Sequence, residues 1–276
     1  MRTLDLRETQ LALLEILKKV HNICEEIGAK YYLMYGTLIG AIRHQGFIPW
    51  DDDIDIVMLR DDYELLLAYF EENKEALYPL QVMNYKVYPK CPYMITRISD
   101  DRYQLIRNFG ESEDIGTFID IYPYDYMDSN EKKVDDMCKK SKRYSKALGR
   151  CLQTDVIRFN ISVHGFLKSI LFNFIYIIPK IVGWEFCQRK LIELCKENIE
   201  KEGDKYYLGC VIWDLGHQDI VPADWMKERV MVPFEGCNFW APKEYHKILE
   251  QGYGDYMTWP PKRLRVAHHY YTIVEK

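Results

Sequence analysis

The chain has eight cysteines but no CxxC pair and no Cys–His spacing of the kind that holds zinc, which argues against a zinc cluster. It has no basic excess. Lys and Arg number 37 against 42 Asp and Glu, a formal net charge of −5, which argues against a general nucleic-acid binder. It has no secretory opening: MRTLDLRETQLALLEILKKV is charged and amphipathic where a signal peptide carries an apolar core. The expectation is a cytoplasmic protein with reduced, mostly buried cysteines. There is no internal repeat, low-complexity tract or Gly/Ser linker. Nor is there an uninterrupted apolar run of the roughly 20 residues that a membrane-spanning helix needs. The most apolar segment, GFLKSILFNFIYIIPKIVGW at 165–184, is broken by Lys168, Pro179 and Lys180. It reads either as a buried core helix or as an interfacial helix with lysines at the headgroup level.

What is present is an ordinary globular composition with many tyrosines. Of 276 residues, 48% are hydrophobic and 29% charged, which suits one large domain or a domain with a lobe. Residues 5–27 carry apolar side chains at helical spacing, with Gly28 as a stop. YYLMYG reads as a short strand that breaks at Gly36–Thr37, and LIGAIRHQG as one or two helical turns. IPWDDDIDIVML reads as the next strand and RDDYELLLAYFEENKEAL as a helix. QVMNYKVY, YMITRISD and TFIDIYPYDYM read as further strands. The pattern predicts an α/β (α+β) core over residues 1–128, a mixed sheet flanked by helices. The lysine-rich SNEKKVDDMCKKSKRYSKALGR opens a helical region over 129–210, possessing either an acceptor-binding or a membrane-surface role. An aromatic-rich segment, 211–276, packs back on the core in this reading.

The stretch that needs explaining is IPWDDDIDIVM at 48–58, with Asp51, Asp52, Asp53 and Asp55 in five positions before an aliphatic run. Crowded carboxylates repel, and a carboxylate beside a core is costly unless compensated. On a strand, Asp51, Asp53 and Asp55 would share one face. Paired carboxylates that stay ionised need a cation, and all-oxygen ligation suits Mg²⁺ or Mn²⁺ with bound phosphate. A lone DxD reads more simply as a solvated acidic turn. Here Gly36 and Thr37 lie upstream, where backbone N–H groups and a hydroxyl can approach phosphate. Asp120 follows in the strand-like TFIDIYP. Gly-Thr, then Asp-x-Asp, then a later Asp is the layout of a nucleotidyltransferase palm.

The stretch YGTLIGAIRHQGFIPWDDDIDIVM resembles the signature of the LicD family, bacterial phosphocholine transferases related to the fukutin proteins. FIDIYPYDYM and PFEGCNFWAPKEYHKILEQGYGDYMTWPP resemble later blocks of that family, and nothing from about 130 to 210 is matched. The resemblance implies a nucleotidyltransferase-like α/β fold. It implies transfer of a substituted phosphate, phosphocholine above all, from a CDP donor to a glycan hydroxyl with release of CMP. The acceptor would be a teichoic acid, lipopolysaccharide or capsular glycan, lipid-linked while it is modified. The enzyme would then work at the inner face of the cytoplasmic membrane, with 165–184 as its contact. By the same resemblance Asp53, Asp55 and Asp120 are the metal and catalytic carboxylates, with Asp120 also able to take the acceptor proton. Gly36 and Thr37 hold the donor phosphates, and Asp51 and Asp52 belong to the block without a fixed role.

Further candidates come from the residues alone. Arg43 and Arg97 offer guanidinium groups to phosphate, Arg97 equally to an aspartate of the cluster. His44 sits beside Arg43, and Asp125 competes with Asp120 for the third carboxylate position. His268 and His269 are adjacent, so on a strand they point apart. Trp50, Tyr253, Tyr256 and Trp259 are candidates for an aromatic box around a quaternary ammonium, with core packing as the alternative. Other cargoes remain open: phosphoethanolamine, aminoethylphosphonate, glycerol phosphate and ribitol phosphate. Two further alternatives are a transferase adding NMP and a non-catalytic nucleotide- or glycan-binding relative.

Overall fold

The computed structural model describes residues 1–276 except 90, 92–93, 108–114, 153–178, 198–202, 204, 214–215, 217–218 and 268–270. It divides into two compact units. One comprises residues 1–83, 96–124 and 221–276, the other 84–95 and 125–220. Among the described residues no helix is long and apolar enough to cross a membrane. Residues 165–178 of the apolar segment lie outside the described residues. None of the eight cysteines is joined in a disulfide.

The first unit is a mixed α+β fold. Helix α1, Leu6–Ile27, starts at a capping box in which the Asp5 side chain accepts from the Glu8 N–H and the Glu8 side chain accepts from the Asp5 N–H. It ends where Gly28 takes a left-handed φ of 73°, a conformation that glycine adopts freely. Its buried stripe of Leu13, Ile16, Leu17, Val20 and Cys24 has helical periodicity. Strand β1, Tyr32–Leu33, leads into α2, Tyr35–Ile39, which continues as a π-helical turn over Gly40–His44. Strand β2, Asp55–Leu59, runs directly into α3, Arg60–Glu72. Strands β3 (Leu80–Met83), β4 (Thr96–Asp100), β5 (Tyr103–Arg107) and β6 (Thr117–Tyr126) follow.

The strands β1 to β4 and β6 form one sheet in the order β1-β2-β6-β4-β3. β2 and β6 are parallel, and the other pairs in that row are antiparallel. The register places Asp55 beside Asp120, and Arg97 beside Asp120 from the other side. The inner strands are apolar on both faces, with Ile54, Ile56, Val57, Met58, Ile119 and Ile121 all buried, as a covered sheet requires.

Two departures from the sequence reading concern the site. IPWDDDIDIVML is not one strand. Regular pairing begins only at Asp55, and the Asp51 N–H closes a turn onto the Ile48 carbonyl at 2.9 Å. Pro49, which has no N–H to give a ladder, sits inside that turn. Asp51, Asp52 and Asp53 therefore lie on a loop, and strand alternation does not govern their directions. YYLMYG likewise pairs only over Tyr32–Leu33, so Gly36 and Thr37 fall in the first turn of α2.

The second unit is built on α4, Glu131–Leu152, and α5, Trp184–Lys196. The buried residues of α4 are Val134, Met137, Cys138, Ser141 and Leu148, while Lys139 and Lys140 are exposed. The Ser141 hydroxyl reaches the carbonyls of Val211 and Trp213, each at 2.7 Å. Strand β7, Tyr207–Gly209, pairs with the end of β6 through Asp125 and Tyr126.

The C-terminal part holds order that the sequence reading did not assign. Strands β8 (Arg229–Phe234) and β9 (Cys237–Pro242) form a hairpin. Its two turn residues, Glu235 and Gly236, have φ of 51° and 74°, as a two-residue turn with both centres left-handed requires. Glu235 then accepts from the Phe47 N–H at 3.1 Å and pairs with Arg7 at 2.6 Å. Helix α6 spans Tyr245–Tyr253. Strand β10, Tyr271–Glu275, pairs antiparallel with β5.

Candidate active site

Asp55 is the centre of the site. Its backbone is fully engaged: the N–H donates to Thr37 Oγ1 at 2.9 Å, and the carbonyl accepts from the Met34 N–H at 3.2 Å. The residue is 8% exposed. Burial pushes the Asp55 carboxyl well above the ordinary carboxylate range, and Asp53, Asp120 and Asp51 push it the same way. A hydrogen bond from the Tyr122 hydroxyl acts in the opposite direction.

The loop before Asp55 is tied down through two of its backbone carbonyls. Gln10 Nε2 from α1 donates to the Asp51 carbonyl at 2.9 Å, and the Tyr271 hydroxyl lies 3.5 Å from the Asp52 carbonyl. Oxygens of Asp51, Asp52 and Asp53 lie within 4.8 Å of one another, close enough to share one ion. Gly36 allows this arrangement. A Cβ there would stand 2.8 Å from Asp51 Oδ2, so a side chain would displace the carboxylate.

Asp120 enters from β6. Its Oδ1 is bound by Arg97 Nε at 2.9 Å, and the guanidinium lies 4.0 Å above the Phe118 ring centroid. Asp120 thus keeps its other oxygen for the cluster. Asp125 lies five positions further along and pairs with Gly209. The register therefore sets Asp120, rather than Asp125, beside Asp55. Asp51, Asp52 and Asp53 form an all-oxygen donor group, with Asp55 following them in the chain and set beside Asp120 by strand register. Such a set, partly buried and balanced by one guanidinium, fits a hard divalent cation such as Mg²⁺ or Mn²⁺.

Thr37 is 3% exposed and serves as the acceptor for the Asp55 N–H. Thr37→Val keeps the shape and leaves that buried N–H without a partner, at a cost of about 1–3 kcal/mol. Thermal unfolding should show a fall of several degrees, largely restored in Thr37→Ser. A Val variant as stable as the parent would show that another acceptor replaces the hydroxyl.

Arg43 sits at the end of the π-helical turn, with Nε donating to His44 Nε2 at 2.9 Å and Nη1 to the Tyr256 carbonyl at 2.5 Å. It ties that turn to the C-terminal aromatic segment. Of the four aromatic candidates, Tyr256 is buried with its hydroxyl against His246 Nδ1. Trp50 and Trp259 meet edge to face, 5.8 Å between centroids, and Tyr253 is exposed. His268 and His269 lie outside the described residues.

Three contributors escaped the sequence reading: Tyr122, Tyr271 and Gln10. Tyr122 was within reach of it, since it stands two positions after Asp120 and shares its strand face. Tyr122 also packs edge-on against Tyr35 at 5.2 Å. Tyr271 arrives only through the β10–β5 pairing, which no local pattern announces. Burial above all pushes its phenol up, with Asp52, Asp53 and Asp120 adding to the effect and Arg97 opposing it.

The chain is similar in sequence to known proteins. Residues 28–148 match the family model described as LicD/FKTN/FKRP, nucleotidyltransferase domain. The lipopolysaccharide cholinephosphotransferase LicD of Haemophilus influenzae is 32% identical over 272 residues, covering 98% of this chain and 97% of that protein. The human ribitol 5-phosphate transferase FKRP is 41% identical over 51 residues, 18% of this chain and 10% of that protein. An uncharacterized Rickettsia typhi protein is 31% identical over 123 residues, 44% of this chain and 37% of its own length. With a relative matched from end to end at this identity, the chain belongs to the LicD family of transferases.

Proposed function

We propose that this chain transfers phosphocholine from a CDP-activated donor to a hydroxyl of a cell-surface glycan and releases CMP, with a divalent metal ion bound. The observation that carries the reading is Asp55, a buried carboxylate that strand register sets beside Asp120 and that follows the clustered Asp51, Asp52 and Asp53. It stands in a chain similar over nearly its whole length to a lipopolysaccharide cholinephosphotransferase. Asp53, Asp55 and Asp120 would hold Mg²⁺ or Mn²⁺, with Asp51 and Asp52 near enough to Asp53 to share it. When bound, such an ion neutralises charge on the transferred phosphate.

The chain's own residues position and move protons. The acceptor oxygen forms a new bond to phosphorus, the bond from phosphorus to the CMP oxygen breaks, and the hydroxyl proton passes to a carboxylate. We assign that task to Asp120, whose orientation Arg97 fixes. The Thr37 oxygen accepts from Asp55, so its O–H remains to donate to a donor phosphate. Arg43 and Arg97 are the nearby guanidinium groups for phosphate charge, and Gly36 and Asp52 complete the proposed donor contacts. Little covalent work is required, as phosphoryl transfer depends on alignment and charge. A lipid-linked lipopolysaccharide, teichoic-acid or capsular acceptor would place the enzyme at the inner membrane surface.

The test is CMP release from CDP-choline, CDP-ethanolamine, CDP-glycerol and CDP-ribitol, with Mg²⁺ and with EDTA. Metal-dependent CMP from CDP-choline is the expected result. CMP from CDP-ribitol instead would favour the second reading, a ribitol-phosphate transferase, which the similarity to FKRP supports. NMP attached to an acceptor, or no turnover of any donor with acceptor supplied, would overturn both.

A further inference from the structure

The residue that precedes the carboxylate run belongs to a small aromatic site that already holds a cation. Trp50 is the residue immediately before Asp51. Its ring and that of Trp259 meet at 63°, with centroids 5.8 Å apart. The Arg265 guanidinium carbon lies 5.7 Å from the Trp50 centroid and 4.8 Å from that of Trp259. Arg265 Nε donates to the Pro260 carbonyl at 2.8 Å. Among the described residues Arg265 makes no ion pair with a carboxylate, so the two indoles and one carbonyl are what surround its charge. Its charged neighbour is Arg43, whose pKa burial lowers first and Arg265 lowers further. Trp259 is 45% exposed, so the site is open to a ligand.

We propose that Trp50 and Trp259 form the head-group subsite for a quaternary ammonium, and that Arg265 is a resident cation which this head group displaces. The inference rests on the phosphocholine reading and assigns residues to its cargo. An indole face attracts cations through its quadrupole. A trimethylammonium donates no hydrogen bonds, so it loses less than a primary ammonium on leaving water for an aromatic wall. Displacing Arg265 also removes a positive charge that acts unfavourably on Arg43. Adjacent Cα atoms are about 3.8 Å apart, so the Trp50 indole and the Asp51 carboxylate leave the backbone at neighbouring points. That suits a ligand whose phosphate and ammonium are two methylenes apart. A neutral ribitol head would gain no cation–π attraction from the rings.

The experiment is calorimetric titration of the full chain with CDP-choline and CDP-ethanolamine in the presence of Mg²⁺. Trp259→Leu keeps apolar bulk and loses the π face, whereas Trp259→Phe keeps both. The expected result is a preference for CDP-choline in the parent that shrinks about tenfold in the Leu variant and is mostly retained in the Phe variant. Arg265→Ala should tighten CDP-choline. Equal loss of both donors in Trp259→Leu, equal behaviour of Leu and Phe, or weaker CDP-choline binding in Arg265→Ala would overturn the subsite while leaving the phosphocholine reading in place. A parent that binds another CDP donor in preference to CDP-choline would overturn both.

Discussion

Asp55→Asn should lower CMP release by about 10²–10³-fold or more, the loss expected when one group that organises transition-state charge is removed. The fold should survive. Asparagine has the shape of aspartate, and its Oδ1 can still accept from the Tyr122 hydroxyl that now donates to Asp55. The Asp55 N–H keeps its bond to Thr37, because that bond is to the backbone. What disappears is a buried charge that Asp53, Asp120 and Asp51 disfavour. The metal-free variant should therefore melt at or above the temperature of the metal-free parent. The metal should separate the two further. An ion at 100 times its dissociation constant stabilises by about 2.7 kcal/mol, which for a chain of this size is roughly 5–10 °C. The parent should show that rise with Mg²⁺ and the variant should not. A variant with full turnover, or one that keeps the whole Mg²⁺ shift, would remove Asp55 from the metal site.

The contrast between Asp55 and its loop neighbours shows what the sequence could reveal. The aspartate crowding was legible because it contradicts elementary electrostatics, and the contradiction points to a cation whatever the local geometry. The geometry itself was misread. Period-two alternation treats 51–55 as a strand, yet Pro49 and the turn at Ile48–Asp51 keep the chain out of the sheet until Asp55. Asp120 was legible for a similar reason, a carboxylate between aliphatics on a strand. Its setting beside Asp55 is a matter of register between strands more than 60 residues apart in sequence, and no local pattern carries that. Arg97 had two open roles. The pairing of β4 with β6 puts it beside Asp120, and the ion pair follows. The hairpin from Arg229 to Pro242 and the strand that brings Tyr271 to the site passed unread, because the aromatic tail has no clean alternation. Helix α1 was legible end to end, since one apolar stripe and the stop at Gly28 define it, whereas α3 was legible at its start but ends at Glu72, short of the Leu77 that the reading gave it.

The largest effect on stability should come from a residue outside the site. Gly116 immediately precedes β6, and its N–H donates to Ser99 Oγ at 2.9 Å. A Cβ there would fall 1.8 Å from the Asp100 carbonyl oxygen, 2.8 Å from the Asp100 carbonyl carbon and 2.9 Å from the Tyr103 oxygen. All three are backbone atoms, and both flanks of that backbone are pinned. Asp100 is paired to Leu80 on one side and Thr117 on the other, Asp101 donates to the Pro79 carbonyl, and Tyr103 is paired to Glu275. No side chain can rotate away to make room. Gly116→Ala must therefore break the start of β6 or push the β4–β5 turn outward. Either belongs to the exceptional class of about 4 kcal/mol or more, a fall of roughly 8–16 °C in melting temperature. Since β6 carries Asp120, turnover should fall with it. Gly149 provides the opposite case. It lies within α4 with nothing inside 4 Å of its would-be Cβ, so Gly149→Ala should stabilise by about 0.5–1 kcal/mol through helix propensity. Melting curves of the two variants test the steric argument directly. If Gly116→Ala melted within a couple of degrees of the parent, the close approach of β6 to Asp100 would not be what fixes the strand that positions Asp120.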